Sequence, residues 1–192
     1  MKIAVLGWGS LLWHPHGAFD SLRDDWRCGE GPELKVEFSR ISKSRAGALT
    51  LVIDQQFGTE VTVAWCYSTR TRLDDAICDL RCREGTSLEN IGRLEITTPG
   101  TESGGSVEQV IGDWARQKKI CAVVWTALPS NFETKQRKEF SVVNALEYLA
   151  GLDSCGRRMA YEYFSRAPKF VNTPLRREVE KTSWYLEAAK SL

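Results

Sequence analysis

The sequence has no long apolar run. Its longest hydrophobic stretches are shorter than about ten residues, whereas a helix that crosses a membrane needs roughly 20. The N-terminus has a single lysine before an apolar segment that is typical of a strand, so it does not resemble a secretory signal. We therefore expect no membrane partner and a cytoplasmic location.

An excess of charge of either sign is also missing. The chain has 26 Lys and Arg residues against 25 Asp and Glu residues, which leaves a formal net charge of +1. This balance lacks the electrostatic footprint of a nucleic-acid-binding protein, so we expect no nucleic-acid partner. The chain of 192 residues is long enough for one full hydrophobic core. We expect a single domain over residues 1–192, with a helical C-terminal part from about residue 134.

Histidine is scarce, and closely paired cysteines are missing. The two histidines, His14 and His16, are separated by one proline, and none of the six cysteines forms a Cys-x-x-Cys pair. Because no ligand pair has zinc-finger spacing, we predict no metal site. Without a secretion signal, the cysteines are expected to be reduced and mostly buried. An enzyme whose nucleophile is activated by a histidine would have to use His14 or His16. Ser10 and His14 are the conceivable pair of nucleophile and base.

A segment with two glycines follows the first predicted strand, Ile3–Leu6. The segment Gly7–Trp13 has the sequence Gly-Trp-Gly-Ser-Leu-Leu-Trp. A Rossmann fingerprint would need a third glycine where Leu12 stands, and neither a Walker motif nor a nucleophile elbow fits the segment. Two interpretations remain. Either the backbone N–H groups of the loop bind an anion, or the loop is a tight turn with Trp8 and Trp13 in the core.

The clearest helix early in the chain is predicted over Thr71–Cys82, with Thr71 as its N-cap. Its apolar residues recur at helical spacing and form a predicted buried stripe of Leu73, Ile77 and Leu80. Glu84 lies at the next step of this stripe, just before Gly85, which is expected to end the helix. An inward carboxylate suits general acid/base chemistry, because desolvation raises the pKa of a carboxyl group. The alternative is a hydrated glutamate at a frayed helix end.

Three strands are predicted between residues 36 and 67. The segment Val36–Ile41 alternates between two faces, and Arg40 lies on the apolar one, where it is either a clamp for a carboxylate or a solvated strand end. The segments Ala48–Ile53 and Val61–Tyr67 are predicted to form a hairpin about the turn Gln55–Gly58.

The remaining elements indicate an α+β protein. Residues 14–33 are predicted as loop with one helical turn near Phe19–Arg23, and Thr97–Ser106 is a glycine-rich loop that is either a lid or an exposed linker. The other predicted elements are a strand at Ile120–Leu128 and helices at Val107–Lys118, Thr134–Leu149, Arg158–Arg166 and Leu175–Lys190. Strands and helices therefore do not alternate strictly, which favours the α+β class.

Two of these segments resemble the γ-glutamylcyclotransferase family. The run Gly7–Leu11 is similar to the Tyr-Gly-Ser-Leu loop of that family, and its continuation to Trp13 is most similar to the ChaC branch. The segment Leu80–Glu84 resembles the ChaC stretch Leu-x-x-Arg-Glu. A weaker similarity covers Phe38–Leu51. Trp8 stands where the family usually has tyrosine, so the phenolic hydroxyl is missing.

The resemblance implies a fold, an activity and a set of site residues. The fold is a small mixed β-barrel with helices packed outside and the site at its mouth. The activity is the release of 5-oxoproline from a small γ-glutamyl peptide or amine, with Glu84 as general acid/base and without a metal or cofactor. The residues assigned to the substrate are Gly7, Trp8, Gly9, Ser10, Leu11, Arg40 and Arg45.

Two other functions stay open from the sequence. The same fold could bind a small ligand or a partner without turnover. Alternatively, Ser10 could be the nucleophile of a hydrolase, although no matching acid or oxyanion motif accompanies it.

Overall fold

The strands of the protein form two sheets, and most of the helices follow the strands in the chain. The computed structural model describes residues 1–96 and 105–190. Within these ranges the strands belong to a four-stranded and a three-stranded sheet and form no closed barrel. The predicted α+β class is confirmed, and the closed barrel is not. No helix in the described ranges combines the length and the hydropathy that crossing a bilayer requires.

The bounds of the elements are as follows. The strands are β1 (Ile3–Gly7), β2 (Glu33–Ile41), β3 (Leu49–Ile53), β4 (Thr59–Thr62), β5 (Ala64–Tyr67), β6 (Ile91–Glu95) and β7 (Ala122–Thr126). The α-helices are α1 (Gly17–Asp20), α2 (Leu73–Glu84), α3 (Val107–Gln117), α4 (Phe132–Gln136), α5 (Val142–Ala150), α6 (Ser154–Arg166), α7 (Pro174–Val179) and α8 (Ser183–Lys190).

The chain folds into two compact units, each built from two segments. The first unit comprises Met1–Leu34 and Thr62–Leu128, and the second comprises Lys35–Val61 and Pro129–Leu192. Neither unit is continuous in sequence. That the whole chain acts as one domain stays a prediction.

The sheet of the first unit has β1 and β7 at its centre. The strand order is β5-β1-β7-β6, with β1 antiparallel to β5 and parallel to β7. Both central strands are almost entirely apolar, as expected for strands that are covered on two faces. Helix α2 packs on one face, and the residues of this core include Ile3, Val5, Ile77, Leu80, Ala122 and Val124.

The second unit places β2 between β3 and β4 and covers this sheet with helices. Phe38 of β2 stacks on Phe164 of α6, with ring centroids 4.1 Å apart and an interplanar angle of 12°. Tyr163 meets the same ring edge-on at 6.1 Å. Such aromatic pairs add to the free energy gained by burial, so β2 and α6 form a substantial part of this core.

The predicted hairpin is wrong. Strands β3 and β4 lie on opposite sides of β2 and do not pair with each other. At Gly58 a Cβ atom would lie 2.7 Å from the carbonyl carbon of Lys35 and 2.8 Å from the nitrogen of Val36, so the chain passes very close to β2 there. The predicted strand Val61–Tyr67 is also interrupted, because β4 and β5 belong to different sheets.

Several helix ends differ from the predictions. Helix α2 begins at Leu73, and its N-cap is Arg72 rather than Thr71, without a side-chain hydrogen bond. The predicted helix Thr134–Leu149 is divided into α4 and α5, because Arg137 adopts the left-handed conformation (φ 54°). Further differences include an earlier start of α6, capped by Asp153, and a break between α7 and α8 at residues 180–182.

The glycine-rich loop predicted at Thr97–Ser106 falls mostly outside the described residues, which omit 97–104. Its last residue, Ser106, caps α3 by accepting a hydrogen bond from the backbone nitrogen of Gln109 at 3.2 Å. A role for this loop as a lid stays a prediction.

Candidate functional site

The segment after β1 forms a single turn, Gly9–His14, which we call the glycine turn. The backbone nitrogen of Leu12 donates to the oxygen of Gly9 at 3.0 Å, and that of His14 donates to the oxygen of Ser10 at 2.8 Å. Leu11 is buried at the start of this turn, as is Trp8 just before it. The predicted turn is therefore confirmed in part: Trp8 is in the core, as expected, whereas Trp13 is only partly buried.

The N-terminal side of the glycine turn has amide groups without partners. The N–H groups of Gly9, Ser10 and Leu11 have no recorded acceptor in residues 1–96 and 105–190. The first N–H groups of any helical turn lack partners within the turn. Together they form a donor set of the kind that binds carboxylates and other anions.

Gly7 is favoured by close packing rather than by an unusual backbone angle. A Cβ atom at this position would lie 2.9 Å from Cδ2 of Leu12 and 3.0 Å from the indole ring of Trp26. The last residue of β1 therefore lies close to two side chains at once. This close approach explains the glycine that the sequence places before Trp8.

Glu84 is the last residue of α2, which continues two residues beyond the predicted end at Cys82. Gly85 ends the helix in the left-handed conformation (φ 58°), and its N–H group bonds to the carbonyl of Cys82 at 3.3 Å. The buried residues of α2 are Ala76, Ile77 and Leu80. The side chain of Glu84 is only 17% exposed, so the prediction of an inward carboxylate agrees with the structure.

Arg83 connects α2 to the glycine turn. It is the arginine of the Leu-x-x-Arg-Glu match, but it was not among the predicted site residues. Its Nη2 donates to the carbonyl oxygens of Ser10 at 3.2 Å and His14 at 3.0 Å. Its Nη1 lies 3.8 Å from Oε1 of Glu84, and its side chain is 8% exposed. The periodicity of α2 indicates different faces for Arg83 and Glu84, but Arg83 lies three residues after Leu80, which is also a buried spacing.

Asp20 of α1 provides a negative charge near Arg83. Its Oδ2 accepts a hydrogen bond from the backbone nitrogen of His16 at 2.8 Å, and its Oδ1 accepts one from Arg23 at 2.8 Å. The His16 hydrogen bond is the main cause that lowers the pKa of Asp20, and the charges of Arg23 and Arg83 lower it further. Asp20 therefore stays ionised and partly balances the two guanidinium groups.

Buried nitrogen atoms near the glycine turn also have no partner among the described residues. They are Nε of Arg83, Nε of Arg23, Nδ1 of His16 and Nε1 of Trp26. The guanidinium of Arg23 stacks over the Trp26 ring at 5.0 Å, and this ring in turn lies against Gly7. The atoms of the two arginines and of Trp26 are N–H donors, and buried donors normally have acceptors, so this end of the first unit has an unusual group of unsatisfied polar atoms.

Arg40 and Arg45 lie in the second unit and have partners there. Nη1 of Arg40 donates to the carbonyl oxygen of Pro129 at 2.6 Å. The guanidinium of Arg45 lies 5.0 Å from the ring centroid of Tyr163. These contacts hold both side chains within their own unit, and their assignment to the substrate stays a prediction.

The other sequence-based candidates receive less support. The recorded contacts between Ser10 and His14 are between backbone atoms, and His14 is exposed. In the described part of the chain, no three histidine, cysteine or acidic side chains are grouped closely enough to hold a metal ion.

Five of the six cysteines are exposed and only Cys66 is buried, so the expectation of mostly buried thiols is wrong.

A second carboxyl group with unusual surroundings lies in the second unit. Glu37 of β2 is fully buried, and its Oε1 accepts hydrogen bonds from Oγ1 of Thr173 at 2.5 Å and from the nitrogen of Phe38 at 2.8 Å. Burial raises the pKa of Glu37 to about 7. Sequence alternation puts Glu37 on the polar face of its strand and gives no signal for this burial, which results from the helices that cover both faces of β2.

The chain was compared with known proteins. No protein-family model matches it, and no curated protein matches it either.

Proposed function

We propose that the chain is a γ-glutamylcyclotransferase of the ChaC type, which converts a γ-glutamyl peptide or amine to 5-oxoproline. The main support is the contact of Arg83 with the glycine turn. One side chain bonds to the carbonyls of Ser10 and His14 and lies 3.8 Å from the carboxylate of Glu84. The two motifs of the family resemblance thus meet within the first unit, although about seventy residues separate them in the sequence.

The reaction needs a base and a site for negative charge. The α-amine of the γ-glutamyl group attacks its own γ-carbonyl carbon, so a new C–N bond closes the lactam ring and the bond to the leaving amine breaks. Because the nucleophile is part of the substrate, much of the entropic cost of bringing the groups together is avoided. Glu84 removes a proton from the α-ammonium and donates one to the leaving amine.

The glycine turn provides the site for negative charge. The amides of Gly9, Ser10 and Leu11 and the hydroxyl of Ser10 donate to the oxyanion on the γ-carbon or to the α-carboxylate. Gly7 and Trp8 shape the wall of this site. Trp8 supplies an apolar surface where the family's tyrosine supplies a hydroxyl.

The other parts of the proposal follow from the same resemblance. We infer that the sheet β5-β1-β7-β6 corresponds to part of the family's barrel and that the substrate binds beside the glycine turn. The assignment of Arg40 and Arg45 to a carboxylate of the substrate rests on the resemblance alone. The reaction uses no metal or cofactor, and the protein acts in the cytoplasm on a small substrate.

The experiment that tests the proposal is incubation of the full chain with glutathione, several γ-glutamyl amino acids and several γ-glutamyl amines. Release of 5-oxoproline and of the matching amine in equal amounts is the expected result. Binding of a γ-glutamyl compound without any product would favour a non-catalytic binding protein. Release of free glutamate, with Ser10 labelled by a serine-directed probe, would favour the hydrolase.

A further inference from the structure

We propose that Arg83 is a positioning residue, which holds the glycine turn in the conformation that presents its amides and sets their distance from Glu84. The inference rests on the proposed function and goes beyond it, since the family resemblance assigns a role to Glu84 and none to Arg83.

The hydrogen bonds and the ion pair of Arg83 with described residues are made by the two terminal nitrogens of its guanidinium. Nη2 lies between two carbonyl oxygens of the turn, that of Ser10 at 3.2 Å and that of His14 at 3.0 Å. Nη1 lies 3.8 Å from Oε1 of Glu84. The guanidinium, a rigid and planar group, therefore lies next to both the glycine turn and the carboxylate of Glu84.

Arg83 binds the carbonyl side of the turn, which leaves the amide side open. In a helical turn the C=O groups point toward its C-terminal end and the N–H groups toward its N-terminal end. A cation that bonds to the last carbonyls stabilises such a turn in the way that Arg stabilises the C-terminal end of a helix. The amides of Gly9, Ser10 and Leu11, which have no recorded acceptor among the described residues, lie at the opposite end of the turn from Arg83.

The burial of Arg83 supports a fixed geometry. Its side chain is 8% exposed, and a buried charge is retained only where ionic or hydrogen-bonding partners compensate for the loss of water. Those partners are the two carbonyls, the carboxylate of Glu84 and the nearby charge of Asp20. Because Nη1 of Arg83 lies 3.8 Å from Oε1 of Glu84, a shift of the guanidinium would change the electrostatic surroundings of the carboxylate.

Lysine would reproduce only part of this arrangement. An ammonium group keeps the positive charge near Glu84, but it lacks the planar fork with which arginine bonds to the turn and approaches the carboxylate at the same time. The Arg83→Lys variant therefore separates the effect of charge from that of geometry, and Arg83→Gln removes both. Arg81→Gln is the matched control, because the Arg81 guanidinium contacts only Sγ of Cys82, at 3.8 Å, among the recorded contacts.

The experiment measures two properties of the full chain. The first is the backbone hydrogen exchange of residues 12–14, which requires no substrate. The second is 5-oxoproline formation as a function of pH, with kcat and KM determined separately.

We expect the His14 amide to exchange at least about tenfold faster in both Arg83 variants, and kcat to fall on the order of 10- to 100-fold, as displaced reacting groups predict. In Arg83→Gln the acidic limb of the kcat profile should move to higher pH, because a cation next to Glu84 is lost, and Arg83→Lys should return it to the wild-type position. A purely structural role would not produce this difference between the two variants. Arg81→Gln should match the wild type in both measurements.

Unchanged exchange of His14 in Arg83→Gln, or a wild-type kcat in Arg83→Lys, would overturn the inference. If the wild-type chain forms no 5-oxoproline from any γ-glutamyl compound, the proposed function fails. The exchange measurement would still decide whether Arg83 holds the turn.

Discussion

Gly7 and Glu37 show how single residues are constrained by neighbours that are distant in sequence. Gly7 has no room for a Cβ because Leu12 and Trp26 lie beside it. Glu37 is fully buried and bonds to Thr173, which lies far along the chain. Each position leads to a prediction about stability.

Replacement of Gly7 by alanine should destabilise the protein. The added methyl group would lie about 3 Å from Leu12 and from Trp26, and overpacking of this kind typically costs about 1–3 kcal/mol. The free energy of unfolding from urea titration is the measurement. Gly17→Ala is the control, because no atom lies within 4 Å of its Cβ position. Equal stability of the two variants would contradict the packing requirement at Gly7.

The burial of Glu37 should make stability depend on pH. Burial raises the pKa of its carboxyl group from 4.5 to about 7, so between these values the folded chain binds a proton that the unfolded chain does not. Stability is therefore fully present below pH 4.5 and decreases as the pH rises to about 7. The whole effect is about 3 kcal/mol, at 1.36 kcal/mol for each pKa unit.

Urea titrations between pH 4.5 and 8 test this dependence. The Glu37→Gln variant cannot ionise at this position and should lose the decrease, while Glu139→Gln, at an exposed position, should keep it. If Glu37→Gln shows the same decrease as the wild type, Glu37 is not its source.

At the residue scale, sequence reasoning was most successful where periodicity applies. Glu84 follows the buried stripe of α2 and is mostly buried, as predicted. Arg83 was missed because charged residues are usually assigned to solvent. Its burial is compensated by the carbonyls of the glycine turn and by the nearby carboxylates of Glu84 and Asp20. Glu37 was missed because its hydrogen-bond partner, Thr173, lies in another part of the chain.

At the scale of elements, the end of α2 determines where Arg83 and Glu84 lie. Gly85 adopts φ 58°, a conformation that glycine reaches without strain, and no atom lies within 4 Å of its Cβ position. A change at this position therefore tests the backbone conformation without adding a steric clash.

Gly85→Ala should destabilise the last turn of α2 by about 1–2 kcal/mol, because alanine is strained in the left-handed conformation. Gly85→Asn should cost less, since asparagine tolerates this conformation better. Hydrogen exchange of the amides of residues 81–85 measures the effect at the helix end. Slower or unchanged exchange in Gly85→Ala would show that the helix does not depend on this cap.

Element types were easier to predict than their ends and pairings. The strand before the glycine turn and the helix before Gly85 are where the pattern put them. The hairpin of β3 and β4 failed because two adjacent β-rich segments can each pair with a third strand, and here both pair with β2. The predicted cap at Thr71 failed because the chain enters the helix at Leu73, two residues later.

At the scale of the whole molecule, the chain passes repeatedly between its two units. Segments 1–34 and 62–128 form one unit, and segments 35–61 and 129–192 form the other. Sequence patterns identified the α+β class and the helical C-terminal part. They did not reveal this division, because each unit combines segments that are far apart in the sequence.

Truncation after Leu128 removes helices α4 to α8, so the strands of the second unit should lose the helices that cover them. Phe38 would lose the stacked ring of Phe164 and the edge contact of Tyr163. We expect the fragment 1–128 to aggregate or to bind a hydrophobic dye strongly, since large apolar patches rarely stay exposed on monomeric proteins. A soluble fragment with native-like circular dichroism and no dye binding would show that the C-terminal helices are not needed to cover β2.

The measurement that tests the central claim most directly is the rate of 5-oxoproline release by Glu84→Gln. This variant keeps the shape of the side chain and removes the base, so kcat should fall at least ~100-fold while the thermal unfolding temperature stays close to that of the wild type. Glu89→Gln, a few residues further along and exposed, should retain full activity. Wild-type release of 5-oxoproline by Glu84→Gln would contradict the account.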